Sequence, residues 1–336
     1  MDTATSPGAP AWSTRRLARR AALLSAALAS VLAFTGCTSI RPPEAPAKAT
    51  AVAVARPTPG QVTTVAATAP GSTGTATSTP RVLIDSRTPP PSGRLDAATL
   101  DAALAPVRTR HPGDLSVAWA PVGRPDLVQV VGSTRDVEAW STIKVPISLA
   151  VSQAADGQPS PSTSKRMRLS LTHSDNAASA ALWRSLGDPD ARVEAVLAAT
   201  GDPTTRPGRS AAGKAIAFGL TPWQPDDSAR FAAMLPCARH ADPVLTLMGY
   251  VIPDHSWGLG TIADARFKGG WGPSPHGYLA RQIGVVPRAD GRAVAVALAT
   301  QPKTGGHEEA TATLTDATRI LVSLLSAEDG GVCSSS

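Results

Sequence analysis

Apolar residues recur along this chain with two periods. LDAATLDAALAPV (95–107) sets leucine and alanine at helical spacing, with Asp96 as a candidate cap. LSVAWAPV (115–122) and LVQVVGS (127–133) read as two strands around a Gly123-Arg124-Pro125-Asp126 turn. An alanine-rich helical segment starts at Ser141, and residues 174–186, 190–200 and 226–235 carry further helical patterns. RFKGGW (266–271), YLARQIGVV (278–286) and RAVAVALAT (292–300) read as three strands joined by short turns, and LTDATRILVSLL (314–325) as an amphipathic closing helix. Two strands, a block of helices, three strands and a last helix predict an α+β domain in which helices pack on an antiparallel sheet.

The N-terminal part follows neither period. In STRRLARRAALLSAALASVLAFTGC (13–37) four arginines precede an uncharged apolar run from Ala21 to Phe34, too short to span a bilayer comfortably as a helix. The run ends in Phe34-Thr35-Gly36-Cys37, which resembles a bacterial lipoprotein signal (1–37), with Cys37 the acylated residue. An ordinary secretory signal or an uncleaved anchor is the alternative. Two acyl chains give stable attachment where one is marginal, so the implied partner is the membrane and the implied place is outside the cytoplasm, facing the cell wall. Residues 38–93 are Pro, Ala, Thr and Ser with scarcely an aromatic, and are expected to form a disordered tether, leaving 94–330 as the folded domain.

Composition narrows the chemistry. Only six lysines and six glutamates occur in 336 residues, so a motif that needs either has few places to stand. The net charge of +6 comes partly from the N-terminal arginines, and no basic run is interleaved with aromatics, which argues against nucleic-acid binding. The sole His-Glu pair, His307-Glu308, is followed by threonine at 311, so no metal site and no cofactor are expected. With Cys37 set aside, Cys237 and Cys333 remain in an oxidising compartment; they form a disulfide or stand as two unrelated cysteines.

EAWSTIKVPISLAV (138–151) holds Ser141 and Lys144 three positions apart. On a helix these share a face, so the Lys144 amine could reach the Ser141 hydroxyl as a base if burial or a nearby cation removed its proton. The same pattern also fits a capping serine and a solvated lysine. Ser162 and Lys165 repeat the spacing inside a polar stretch that reads as a loop. THSDNAASAALW (172–183) contains Ser174-Asp175-Asn176 ahead of an apolar helical run, which by itself is a capped helix start. Lys268-Gly269-Gly270 ends a strand, where paired glycines mark either a close approach or a bulge.

S-x-x-K, S-D-N and a Lys-Gly strand, in that order, resemble the serine β-lactamase and penicillin-binding superfamily. The resemblance runs from about 95 to 326 and implies a β-lactamase/DD-peptidase-like fold with a five-stranded antiparallel sheet and a reduced helical subdomain. Lys303-Thr304-Gly305 is the literal K-T-G string, but it follows the last two strands rather than preceding them, so Lys268 takes that role and 303–306 is a turn.

The resemblance implies Ser141 as nucleophile, Lys144 as its base or proton relay, Ser174 as proton donor to the leaving group and Lys268 as nearby positive charge. It further implies that Asn176 holds a substrate amide and that Asp175 is structural. Gly269, Gly270 and Trp271 would line the substrate, with the N–H groups of Ser141 and Trp271 facing the oxyanion. The implied partner is a peptidoglycan peptide or a β-lactam-like small molecule, and the protein is expected to be a monomer.

Three departures bear on turnover. Aligning GDPTTR (201–206) with the family's omega loop puts Arg209 at the family arginine and Ala211 where class A enzymes carry the deacylating glutamate, and no glutamate occurs between 195 and 307. Asp226 or Asp227 could substitute only in a rebuilt loop. Gly269 replaces a hydroxyl residue, and Ser174 follows Ser141 by only 33 positions. Acylation without efficient release is expected; a degenerate wall-binding or scaffold lipoprotein is the alternative.

Overall fold

β5 (Ala293–Pro302) shows how the sequence builds the sheet. Its valines and leucine, Val294, Val296 and Leu298, point to one face, and Ala295, Ala297 and Ala299 to the other. The computed structural model describes residues 93–132, 134 and 137–334, all within one compact unit that spans 73–336. The expected signal segment, the expected acylation site Cys37 and nearly all of the tether expected over 38–93 lie outside the described residues.

The sheet has the order β2-β1-β5-β4-β3 and every pairing is antiparallel. Its strands are β1 (Gly113–Pro121), β2 (Gln129–Gly132), β3 (Arg266–Ser274), β4 (Gly277–Pro287) and β5, five as expected. Leu115, Val117, Trp119, Phe267 and the β5 valines form one core with α1 (Ala97–Ala103), α2 (Ala105–Arg110) and α9 (His307–Leu324). On the opposite face the alanines admit α7 (Pro225–Met234) close to the sheet, through Ala232 and Ala233. The second core joins that face to α3 (Lys144–Ala154), α4 (Pro161–Thr172), α5 (Asn176–Ser185), α6 (Pro189–Ala199) and α8 (Asp242–Met248).

Several expectations are corrected. The single helix read over 95–107 breaks at Leu104, because Pro106 lacks an N–H and its ring would strike the carbonyl four residues earlier. Asp96 caps α1 as expected, accepting from Thr99 N at 2.9 Å. The stretch around Ser162 and Lys165 is the first turn of α4, not a loop: Ser160 caps it and Pro161 opens it. α8 had no clear periodic signal. Residues 303 and 304 form a bend after β5, so Lys303 is not on a strand.

Cys237 and Cys333 are bonded, with Cα atoms 5.3 Å apart across 96 positions of chain. The bond fastens the tail to the short turn after α7.

Candidate active site

Ser141 does not cap a helix. It sits inside a 3-10 turn, Trp140–Ile143, whose N-terminus has no side-chain cap, and α3 begins only at Lys144. Trp140 holds φ at 46°, in the left-handed region that a bulky side chain rarely adopts. Two glycines of β3 make room for this turn. A Cβ on Gly270 would lie 2.7 Å from Ser141 N and 3.0 Å from Ala139 O, and one on Gly272 would strike the Trp140 ring. The paired glycines therefore mark a close approach, and the Ser141 amide adjoins the residue before Trp271.

The three motifs meet. Ser174 and Asn176 lie at the start of α5, where Asp175 is the N-cap and accepts from Ala178 N at 2.6 Å. Ser174 has φ of 57°, a second strained residue beside the turn that carries Ser141. Lys144, 1% exposed, donates from Nζ to Asn176 Oδ1 at 2.7 Å, to Ser174 O at 2.6 Å and to Ser174 Oγ at 3.3 Å. Lys268, wholly buried on β3, donates to the same Ser174 Oγ at 3.0 Å and to Gly269 O at 2.7 Å.

Burial pulls the Lys144 amine down to about 8, against the opposing pull of Asp175. Burial, and then the neighbouring Lys144, put Lys268 well below the usual lysine range. One difference from expectation is geometric. The Lys144 amine is directed at Ser174 and Asn176, and no hydrogen bond joins it to the half-exposed Ser141 among the described residues. Such contacts commonly tighten only with substrate in place.

The loop after α6 is held by a buried aspartate. Asp202 accepts from Trp223 Nε1 at 2.8 Å and from Thr205 N at 3.0 Å. Arg209 pairs with Asp190 at 2.9 Å, and Ala211 is exposed on a turn. Asp227 accepts from Thr204 Oγ1 at 2.8 Å, and Asp226 lies 3.6 Å from Arg230, so both carboxylates have partners on the loop or on α7. Among the described residues, no group of three or more His, Cys, Asp or Glu could hold a metal ion.

Two features of the site carry no sequence motif. Arg281 is buried in β4 and stacks 5.5 Å over Trp223, with burial bringing its guanidinium down to about 9. It donates to Trp223 O at 2.8 Å and Glu138 O at 3.1 Å, and to Ser228 Oγ at 3.1 Å, so it pins the segment leading to Ser141. A charge within the apolar run YLARQIGVV was its only signal. A set of rings around Trp271 is the second feature; His255 and Trp257, far from any motif, gave none.

No protein-family model matches the chain, and no curated protein matches it in sequence. Solved structures do match in fold. The TLA-3 extended-spectrum β-lactamase is 16% identical with a TM-score of 0.55, over 67% of this chain and 98% of that one. A class A β-lactamase from Mycobacterium abscessus gives 18% and 0.53, over 66% and 98%. A β-lactamase from Desulfarculus baarsii gives 18% and 0.52, over 68% and 97%. With its five-stranded antiparallel sheet and flanking helices, this chain has the fold of the class A serine β-lactamases.

Proposed function

We propose that the protein is a serine hydrolase of the β-lactamase and penicillin-binding type, acylated at Ser141 and slow to release the acyl group. The observation that carries this is the convergence of Lys144 and Lys268 on Ser174 Oγ, at 3.3 and 3.0 Å, beside the Gly270–Ser141 approach. Burial disfavours the charge on both lysines, Lys144 disfavours it further on Lys268, and a neutral amine can take a proton. Ser141 Oγ would attack a carbonyl and lose its proton to Lys144, while Ser174 delivers a proton to the leaving group. The amides of Ser141 and Trp271 would receive the negative charge on the carbonyl oxygen. With alanine at 211, no carboxylate stands there to activate water, which supports acylation with poor turnover. The substrate would be a peptidoglycan peptide, a β-lactam or a related ester or amide. An acylated Cys37 would hold the domain to the outer side of the membrane, facing the wall.

Treatment of the full chain with fluorescent penicillin and with a fluorophosphonate, followed by intact-mass and peptide analysis, tests this. One adduct on Ser141, absent from Ser141→Ala, is expected; no adduct from either probe sinks the proposal. The Lys144 bonds to Ser174 and Asn176 favour a second reading, a non-catalytic wall-binding lipoprotein with a locked cleft. That reading expects no adduct, and equal retention of the wild type and Ser141→Ala on peptidoglycan.

A further inference from the structure

Five half-exposed rings stand together beside Lys268: His255, Trp257, Trp271, Tyr278 and His307. Trp271 lies 4.7 Å from His255, 5.9 Å from Trp257 and 5.5 Å from His307, centroid to centroid, and His307 lies 6.1 Å from Tyr278. They come from the loop before β3, from β3, from β4 and from the first residue of α9, so the fold alone assembles them. The wall is continuous with the reactive groups. Lys268 Nζ is 5.9 Å from the Trp271 ring, and a Cβ on Gly269 would meet Trp257 ring carbons at 3.0 and 3.2 Å. Trp257 thus fills the space into which a side chain at 269 would project.

The wall offers little to an anion. Lys268 is already bonded to Ser174 Oγ and Gly269 O, and Asp254 stands near His255. Burial, and then Lys268, hold the His255 ring below the usual histidine range, so it carries no charge near neutral pH. What remains is aromatic surface, which suits an uncharged ligand group.

We infer that this wall sets specificity, and that it takes a neutral aromatic group on the leaving side of the acyl donor rather than a carboxylate. The inference rests on the hydrolase reading above. In the step concerned, the Ser141 Oγ–carbon bond forms and the carbon–leaving-group bond breaks. The serine proton passes to Lys144, and Ser174, bonded to Lys144 and to Lys268 next to the wall, gives its own proton to the leaving atom and is reprotonated from Lys144.

Two thioesters that share one acyl group, releasing benzyl thiol or thioglycolate, test this on the full chain by thiol release and by the mass of acylated Ser141. Corrected for hydroxide-driven hydrolysis, the benzyl thioester should acylate about tenfold faster or more, the worth of a single good ring contact. Trp257→Ala should bring that ratio close to one, and His307→Ala should reduce it; Trp257→Phe, which keeps a ring, should retain most of it. Equal rates or a preference for thioglycolate in the wild type would overturn the inference. An unchanged ratio in folded Trp257→Ala and His307→Ala would do so too. A fluorophosphonate separates the two levels. If it labels Ser141 while the thioesters show no preference, only the specificity inference fails; if nothing labels Ser141, the hydrolase reading falls and takes this inference with it.

Discussion

Lys144 and Lys268 share a single acceptor, the Ser174 hydroxyl, at 3.3 and 3.0 Å. Neither amine is exposed, so burial disfavours the proton on both, and Lys144 further disfavours that on Lys268. With Lys144 brought down to about 8, phosphonate labelling of Ser141 should rise about tenfold per pH unit below 8 and level off above it. A rate that is flat between pH 6 and 9 would remove Lys144 as the base.

The same depression predicts a stability profile. A lysine with its folded pKa near 8 and an unfolded value near 10.5 binds fewer protons when folded, so it weakens the fold fully below pH 8. That penalty, about 3 kcal/mol, fades as pH rises toward 10.5. Denaturant unfolding at pH 7 and 9.5 should show a gain about 2 kcal/mol larger in the wild type than in Lys144→Met, since buried Lys268 contributes to both. Parallel profiles for the two proteins would contradict the buried, depressed amine.

Gly270→Ala should separate the strand from the turn that carries Ser141. Its new methyl would press on Ser141 N, Trp140 Cβ and Ala139 O, two of which are backbone atoms that cannot swing aside. Labelling should fall about 100-fold, as expected when an oxyanion donor is displaced, while the far-UV spectrum stays that of the wild type. Near-wild-type labelling would place the oxyanion site elsewhere.

Arg281→Met should leave the carbonyls of Glu138 and Trp223 without their buried donor, and destabilise the protein by about 3 kcal/mol or more in denaturant melts. Arg281→Lys keeps a charge but loses the planar fork, so it should fall between the two. If Arg281→Met melts like the wild type, the segment before Ser141 is held by something other than this guanidinium.

Adduct lifetime reports on position 211. A penicilloyl group on Ser141 should persist for minutes or longer by intact mass, because alanine there can activate no water. Rapid nitrocefin turnover by the purified protein would show that another group does the work.

Removing the Cys237–Cys333 bond with a double serine variant should lower stability by about 4–5 kcal/mol, the chain-entropy value for a loop of about 100 residues. Equal melting of the variant and the oxidised wild type would mean that the unfolded chain is constrained in some other way.

Much of this fold is local pattern. The period-two run RAVAVALAT needed no partner to declare a strand with a bulky face and a small one, and β5 displays those faces to α9 and α7. Asp96 and Asp175 are capping residues because their short carboxylates reach nearby N–H groups, a relationship contained within four residues. The helix expected over 95–107 breaks ahead of Pro106, and α4 gives little periodic signal because its polar residues face solvent and conceal its period.

Motif order along the chain was enough to select Ser141, Lys144, Ser174 and Lys268 as one group and to prefer Lys268 over Lys303. What the Lys144 amine touches was decided in three dimensions. A four-carbon side chain can swing to either serine, and acceptors on Ser174 and Asn176 hold it. Arg281 and the ring wall could be seen only once the strands were paired, since their partners lie tens of residues away. Short-range propensity and spacing are written in the sequence; burial, and the charge states and contacts that follow from it, arise only when distant segments close on one another.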